Sequence, residues 1–389
     1  MTFTTPDRNE LQSTSDEKSA STLATVSRSV QYDLFAKFFG KPENLSNTID
    51  LWDSIPKYSC SARAQSALRD ASGRLPVYQR TFHHRPSPKG DNPTFTCTVQ
   101  LQPASVIIDG ERIDCYPSTD EELVEEVLRK IFADQNFGFH DPARGESWVR
   151  FSLNMIRAEL ANRGRTRSIE EIKRSLEILS RTVLDVTIEG RGSKQTVYTN
   201  PIINDLTRVT RDQWKEDRKA MWMVRLPGLL SASINTLTYR QFNYGVLMSL
   251  DSQLARWLHK RLSHEYTNAH LNNPYQILFS TIERDSGMLN HSRRSANMSA
   301  VKSAIEDLIK AHVLYAFTEE RRTEGKAVQD CLYTLIPNSD FVSDIKAANA
   351  RAGQSRDILT KAGMIDPRPD PGTGWKKVSQ TFRSPRTRA

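Results

Sequence analysis

The chain has 389 residues, with 54 Lys and Arg against 46 Asp and Glu, for a formal net charge of +8. That length leaves room for two or three domains with cores of their own. No apolar run is long enough to span a membrane, and four scattered cysteines (Cys60, Cys97, Cys115, Cys331) suit neither a disulfide framework nor a structural zinc site. The N-terminus lacks an apolar signal core and carries Asp7, Glu10, Asp16 and Glu17, so a soluble cytoplasmic protein is expected.

Residues 1–30 hold twelve Ser and Thr and almost no large apolar groups, too few to offset the entropy of ordering. They begin an arm, expected to be largely disordered, that extends to residue 93. Gln31-Tyr32-Asp33-Leu34-Phe35, followed by Phe38 and Phe39, interrupts it and reads as a docking element. The pentapeptide resembles the Gln-x-Asp/Ser-Leu-Phe motif by which bacterial proteins dock on the sliding clamp of DNA polymerase. The other reading is a small amphipathic helix packing its Phe side chains on the protein's own body. Thr48-Ile49-Asp50-Leu51-Trp52 is a poorer copy. Residues 53–95 read as irregular because Pro56, Pro76, Pro86, Pro88 and Pro93 break any long element, with His83 and His84 as solvent-facing linker residues.

A first folded domain is expected over 94–205. Residues 96–101 alternate, and 105–108 and 112–115 flank an Asp109-Gly110 hairpin turn. Ser118 and Glu121 form a capping box opening a helix to Phe132, striped by Leu123, Val127, Leu128 and Ile131. A strand at 148–151 and a helix at 152–161 follow, then a turn holding Arg163, Arg165 and Arg167. A second capping box, Ser168 and Glu171, opens a helix at 168–181 whose stripe is Ile169, Ile172, Leu176 and Leu179. A hairpin pairs 183–188 with 196–199. Helix, basic turn, helix and hairpin is the order of a winged helix, whose second helix enters the major groove.

The same order is expected over 218–340: a strand from Met221, a helix at 252–266, a strand and short helix at 275–286, a loop with Arg293-Arg294, and a helix at 297–311. A hairpin pairing 312–317 with 331–336 closes it, its loop carrying Arg321, Arg322 and Lys326. The fold class read from this is α+β, two tandem winged helices between a disordered arm and a basic tail at 341–389. From Ser343 onward that tail has ten Lys and Arg against four Asp.

The segment from about Ser105 to Asn338 resembles plasmid replication initiators of the TrfA type. The likeness lies in Val106-Ile107-Ile108-Asp109-Gly110-Glu111 leading into Asp120-Glu121-Glu122-Leu123, and in Val149-Arg150-Phe151-Ser152 with the Ile172, Leu176, Leu179 run. It continues in Leu254-Ala255-Arg256-Trp257-Leu258, Ala304-Ile305-Glu306-Asp307-Leu308 and Ala311-His312-Val313-Leu314. The resemblance implies two winged helices on double-stranded DNA repeats (iterons) of a plasmid origin in the bacterial cytoplasm. It also implies a sliding clamp, a replicative helicase and a host initiator as partners, and a monomer–dimer equilibrium is compatible with it.

No Walker loop, no metal-holding pair of histidines and no nucleophile elbow is present, so neither enzyme activity nor a cofactor nor a metal is expected. Arg163, Arg165, Arg167, Arg293, Arg294, Arg321, Arg322 and Lys326 are expected on phosphates. Lys173, Arg174, Asn297, Ser299 and Lys302 are expected near base edges, with Arg181 on the same DNA-facing surface. A winged-helix transcriptional regulator is the alternative.

Overall fold

The computed structural model describes residues 29–85, 94–108, 110–189, 195–210, 212–213, 220–324 and 327–364. The expected disorder of residues 1–28, the basic tail from residue 365 on, and Lys326 fall outside the described residues.

The supposed arm is folded from Val30 to His84. It forms α1 (Val30–Ala36), β1 (Leu45–Ile49), α2 (Asp50–Ser54), α3 (Ala62–Leu68) and β2 (Tyr78–His84). Each element is five to seven residues long, too short to show periodicity, and distant partners hold them. β1 pairs with β12 (Tyr239–Asn243), Leu45 facing Asn243, and β2 pairs with β3 (Phe95–Gln102). His84 is buried rather than solvent-facing.

The first module continues through β4 (Ala104–Ile108), β5 (Glu111–Cys115), α4 (Thr119–Phe132), β6 (Gly138–Asp141), β7 (Glu146–Phe151), α5 (Leu153–Asn162), α6 (Ile169–Arg181), β8 (Val183–Glu189) and β9 (Gln195–Pro201). Both capping boxes have the expected return bond. Glu121 accepts from Ser118 N at 2.8 Å and Glu171 accepts from Ser168 N at 2.7 Å. Three helices, α4, α5 and α6, pack on one another beside the wing hairpin, β8–β9. That hairpin joins β3 and β2 in a four-stranded sheet, whereas β7 pairs with β6 and β11 (Trp222–Arg225) in a separate one.

β11 was expected to open the second domain. It lies instead on β7, with Val224 facing Val149, and β10 (Asn204–Thr207) pairs on its other side. α7 (Gly228–Thr236), β12 and α8 (Tyr244–Ser249) follow, and the first core runs from Tyr32 to Met248. The second core begins at Leu250. The boundary moves because Val224, Leu226, Leu230 and Ile234 bury their side chains in the first core.

The second module has α9 (Gln253–Glu265), β13 (Tyr275–Leu278), α10 (Phe279–Ser286), α11 (Arg294–Lys310), β14 (Leu314–Glu324) and β15 (Ala327–Pro337). Its sheet order, β13-β15-β14, brings the strand between the first two helices onto the returning strand of the wing. That is the winged-helix arrangement. α12 (Ser339–Lys361) then takes up much of the expected tail; Phe341, Val342 and Ile345 pack into the second core, and farther along Arg351 reaches the first module. Its guanidinium donates to Asn47 Oδ1 (2.6 Å) and to the carbonyls of Leu34 and Phe35 at the end of α1 (2.8 and 2.7 Å). Burial without a carboxylate partner pulls its pKa down to about 10.

Between the modules lies a buried ionic seam. Asp53 of α2 accepts from both Arg129 nitrogens at 2.8 Å and from Lys260 at 3.2 Å. Arg256 of α9 donates twice to Glu122 of α4 (3.1 and 2.9 Å), Lys260 bonds Glu126, and Glu125 takes the Trp52 indole at 2.5 Å and the Tyr58 hydroxyl. His259, beside Lys260, is fully enclosed, and burial drops its pKa to about 3. A neutral imidazole in the folded state against an ordinary one near 6.5 in the unfolded chain means the unfolded chain takes up the extra proton first. Stability should therefore fall as pH drops below about 6.5, by up to about 1.4 kcal/mol per unit from this residue alone. Urea titrations from pH 7 to 5 should show a shallower decline in His259→Phe.

Candidate nucleic-acid interface

A winged module contacts DNA with the exposed start of the second helix of its helix–turn–helix pair, here α6 and α11, and with its wing. In the second module α10 ends at Gly287, whose φ of +66° provides the left-handed stop. The loop to α11 is braced by Asn297, which is buried; its side chain accepts from His291 N at 2.9 Å and donates to His291 O at 3.2 Å. Asn297 is thus a loop brace and not a base reader, a correction to the expectation. Ser292, Arg293, Ser295 and Ser299 are exposed at this end of the helix. Arg293 has no side-chain partner among the described residues. Arg294 stacks on Phe279 at 4.7 Å and donates to Gln329 O at 2.6 Å, half tied to the body.

On the wing, Arg322 is exposed and unpaired among the described residues. Lys302 and Arg321 converge on Glu319, at 2.7 and 3.2 Å. The Lys302 bond, followed by the two positive charges, holds the Glu319 carboxyl below its ordinary range despite some desolvation. Such exposed pairs are weak and can be exchanged for phosphate contacts. Among the described residues this face therefore offers two free cations and two loosely held ones on a helix start and a wing.

The first module differs sharply. Arg163 donates to Asn44 Oδ1 at 2.9 Å, to Glu43 O and to Glu159, and stacks on Tyr244. Arg165 donates to Leu250 O at 2.7 Å, Met248 O at 3.1 Å and Asp251 at 2.7 Å, fixing the turn to the linker between the cores. Arg167 holds Asp120 at 2.5 Å. All three face their own fold rather than phosphates. They turn inward because the N-terminal segment, α4 and the linker supply acceptors that local sequence does not reveal. The Arg167–Asp120 pair is partly exposed, so Arg167→Ala should cost only about 0–1 kcal/mol in thermal melts and leave the salt dependence of duplex binding unchanged.

On α6, Lys173 pairs with Glu170 at 2.8 Å. Arg181 pairs with Glu177 at 2.7 Å and donates to Ser105 O at 2.6 Å. Arg174 alone of the three is exposed without an ion pair among the described residues. β4 packs along this helix. Ile178, off the Ile172–Leu176–Leu179 stripe, is buried against Ala104 and Val106 in a small separate core. Beyond it a cavity of about 230 Å³ opens between the hairpin and the helix, lined by Ile107, Ile108, Lys173, Arg174, Arg208 and Trp222 among others.

The clamp-like pentapeptide is overturned as an exposed motif. Gln31–Phe35 lies in α1, where Tyr32, Leu34 and Phe35 are buried. Tyr32 donates to Phe132 O at 2.6 Å, and the Phe35 ring meets Tyr239 edge-on at 4.9 Å. Asp33 is exposed and accepts from Gln135 at 2.8 Å. The apolar side chains that would fill a partner's pocket fill this protein's own core, as do Leu51 and Trp52 of the poorer copy. The sequence signal that favours core is the continuation into Phe38 and Phe39.

Among the described residues no cluster of His, Cys, Asp and Glu could hold a metal ion, and no helix is long and apolar enough to cross a membrane. No family model matches the chain, and no curated protein matches it. Among the solved structures similar to it are three at 10% identity. A crystal structure of domains 2 and 3 of RctB, as a SeMet derivative, covers 73% of this chain and 99% of its own, with a TM-score of 0.40. The Pi initiator protein in complex with iteron DNA covers 57% of this chain and 91% of its own, at 0.38. A second RctB domain 2–3 structure covers 73% of this chain and 100% of its own, at 0.32.

Proposed function

We propose that the chain is a duplex-DNA-binding replication initiator that recognises repeated sites at an origin. The single observation that carries the DNA-binding reading is the second module's free surface. An unobstructed helix start bearing Arg293 and a wing bearing Arg322 stand side by side, joined by the Arg294–Gln329 bond, whereas Arg163, Arg165 and Arg167 of the first module's basic turn are bonded to their own fold. The Pi initiator, solved with iteron DNA, is among the structures the chain is similar to, although the reading rests on the surface geometry. The initiator role, and delivery of the opened origin to a host helicase and initiator, follow the family resemblance of the sequence.

Two winged modules tied by a buried seam would bind as one unit, so several protomers on repeats would impose a repeated deformation on the duplex. Bending 20–30 base pairs costs on the order of 1–6 kcal/mol, within reach of binding energy from adjacent protomers. Footprinting on the DNA flanking the gene, with permanganate added and no nucleotide, tests both parts. Regularly spaced protections with reactive thymines nearby are expected. A single protected operator without reactive thymines supports the transcriptional regulator, and no protection at all rejects origin binding.

A further inference from the structure

The two reading helices are presented unequally. α11 keeps its first turns clear, while α6 carries the β4–β5 hairpin along its flank: Ile178 is sealed under Ala104 and Val106, Arg181 is bonded to Ser105 O, and Ile107 stands 71% exposed beside the helix. An α-helix with its side chains is about 10–12 Å across and the major groove about 12 Å wide, enough for one helix or one two-stranded ribbon but not both abreast. The exposed strip of α6 is also nearly neutral, since Lys173 and Arg181 are offset by Glu170 and Glu177.

We propose that the β4–β5 hairpin is a lateral stop on α6, so that the first module meets the duplex end-on, through the helix start and Arg174, and reads a shorter stretch than the second. This rests on the DNA-binding reading above and adds an asymmetry to it: one long, strongly charged half-site and one short, weakly charged half-site per protomer. The hairpin's base fixes how it can be tested. Ser105 pairs with Asp114 and Ala104 with Cys115, so residues 106–113 are replaceable by an Asn-Gly turn without moving the ends. Ile178→Lys accompanies the change to keep the uncovered helix polar.

The experiment is selection from duplexes with a random core, using the full chain and the trimmed variant. Positions under the first module are identified by the selectivity they lose in Arg174→Ala. The full chain should select a long and a short element. The trimmed variant should lengthen the short element by several base pairs and bind its own best duplex about tenfold more tightly, the yield of one good base contact. Thermal melting confirms folding; should the trimmed chain not fold, Ile178→Lys alone, which drives a charge under the hairpin, should lengthen the element in the same way. An unchanged short element means that the hairpin is no stop, and weaker binding by a folded variant means that it is itself a DNA contact; either overturns the proposal. Failure of the full chain to enrich any sequence rejects the DNA-reading function itself.

Discussion

Arg129→Met should lower the free energy of unfolding by about 3–5 kcal/mol, because it removes one partner from a buried charge cluster and leaves the others unpaired. Arg129 is almost completely enclosed, and its guanidinium serves Asp53, Glu126 at 3.2 Å and the carbonyl of Asn47 together. Without it Asp53 keeps Lys260 as its one cation at close range among the described residues, beside the Ile49 N–H at 2.6 Å. Burial pushes the Asp53 carboxyl upward, but Arg129 and Lys260 outweigh this and hold it well below the usual aspartate range. A depressed carboxylate contributes stability that is fully present above the unfolded value near 3.9 and is lost as pH falls through the folded one. The acid limb of the stability curve should therefore flatten in Arg129→Met. Urea titration gives the free energy, and a second variant separates charge from packing: Asp53→Leu, Glu126→Leu, Arg129→Met and Lys260→Met together should recover much of the loss, since apolar replacement of a whole buried cluster is often neutral or stabilising.

The seam was partly legible before the structure. Glu122, Glu125, Glu126 and Arg129 recur at three- and four-residue spacing on α4, and Arg256 and Lys260 do so on α9. Two helices with complementary charged stripes can be read as partners. Less legible was Asp53 between them, because α2 is a five-residue helix in a stretch broken by prolines. The longer elements are stated by local sequence. Capping serines start α4 and α6, and apolar spacing marks α9 and α11. The second module starts α11 three residues before the expected Asn297, since Asn297 serves as a brace inside the helix and not as its cap.

The charged residues were harder. A cluster of arginines in a turn between two helices suits phosphate binding, but charge alone does not say which way a side chain faces. Arg163 finds Asn44, Arg165 finds Asp251 and Arg167 finds Asp120, and each of these acceptors lies 47 or more residues away in sequence. The docking pentapeptide failed for the same reason, since Phe35 meets Tyr239 from the far side of the first module's sequence. α12 escaped notice because its apolar stripe is thin and is interrupted by Arg351, a charge buried against backbone carbonyls rather than carboxylates.

The DNA face invites the second large effect. Arg293→Ala with Arg322→Ala removes the two cations at the α11 start and on the wing that have no partner among the described residues. Each phosphate no longer neutralised should reduce the slope of log K against log salt by about 0.9, so the pair should reduce it by nearly two. Extrapolated from 1 M to physiological salt, that is about five-fold per phosphate, or about thirty-fold for the pair. Such weakening should appear equally on specific and random duplexes, since phosphates carry no sequence information. Arg174→Ala should instead cost discrimination and leave random binding nearly unchanged.

The most direct measurement is fluorescence anisotropy on a random-sequence duplex across a salt series, comparing the full chain with Arg293→Ala/Arg322→Ala and with Arg163→Ala/Arg167→Ala. The second module's helix start and wing should account for the difference, with the slope falling by nearly two in the first double variant and staying unchanged in the second. A flattened slope in the Arg163/Arg167 variant, with an unchanged one in the Arg293/Arg322 variant, would contradict the placement of the DNA face.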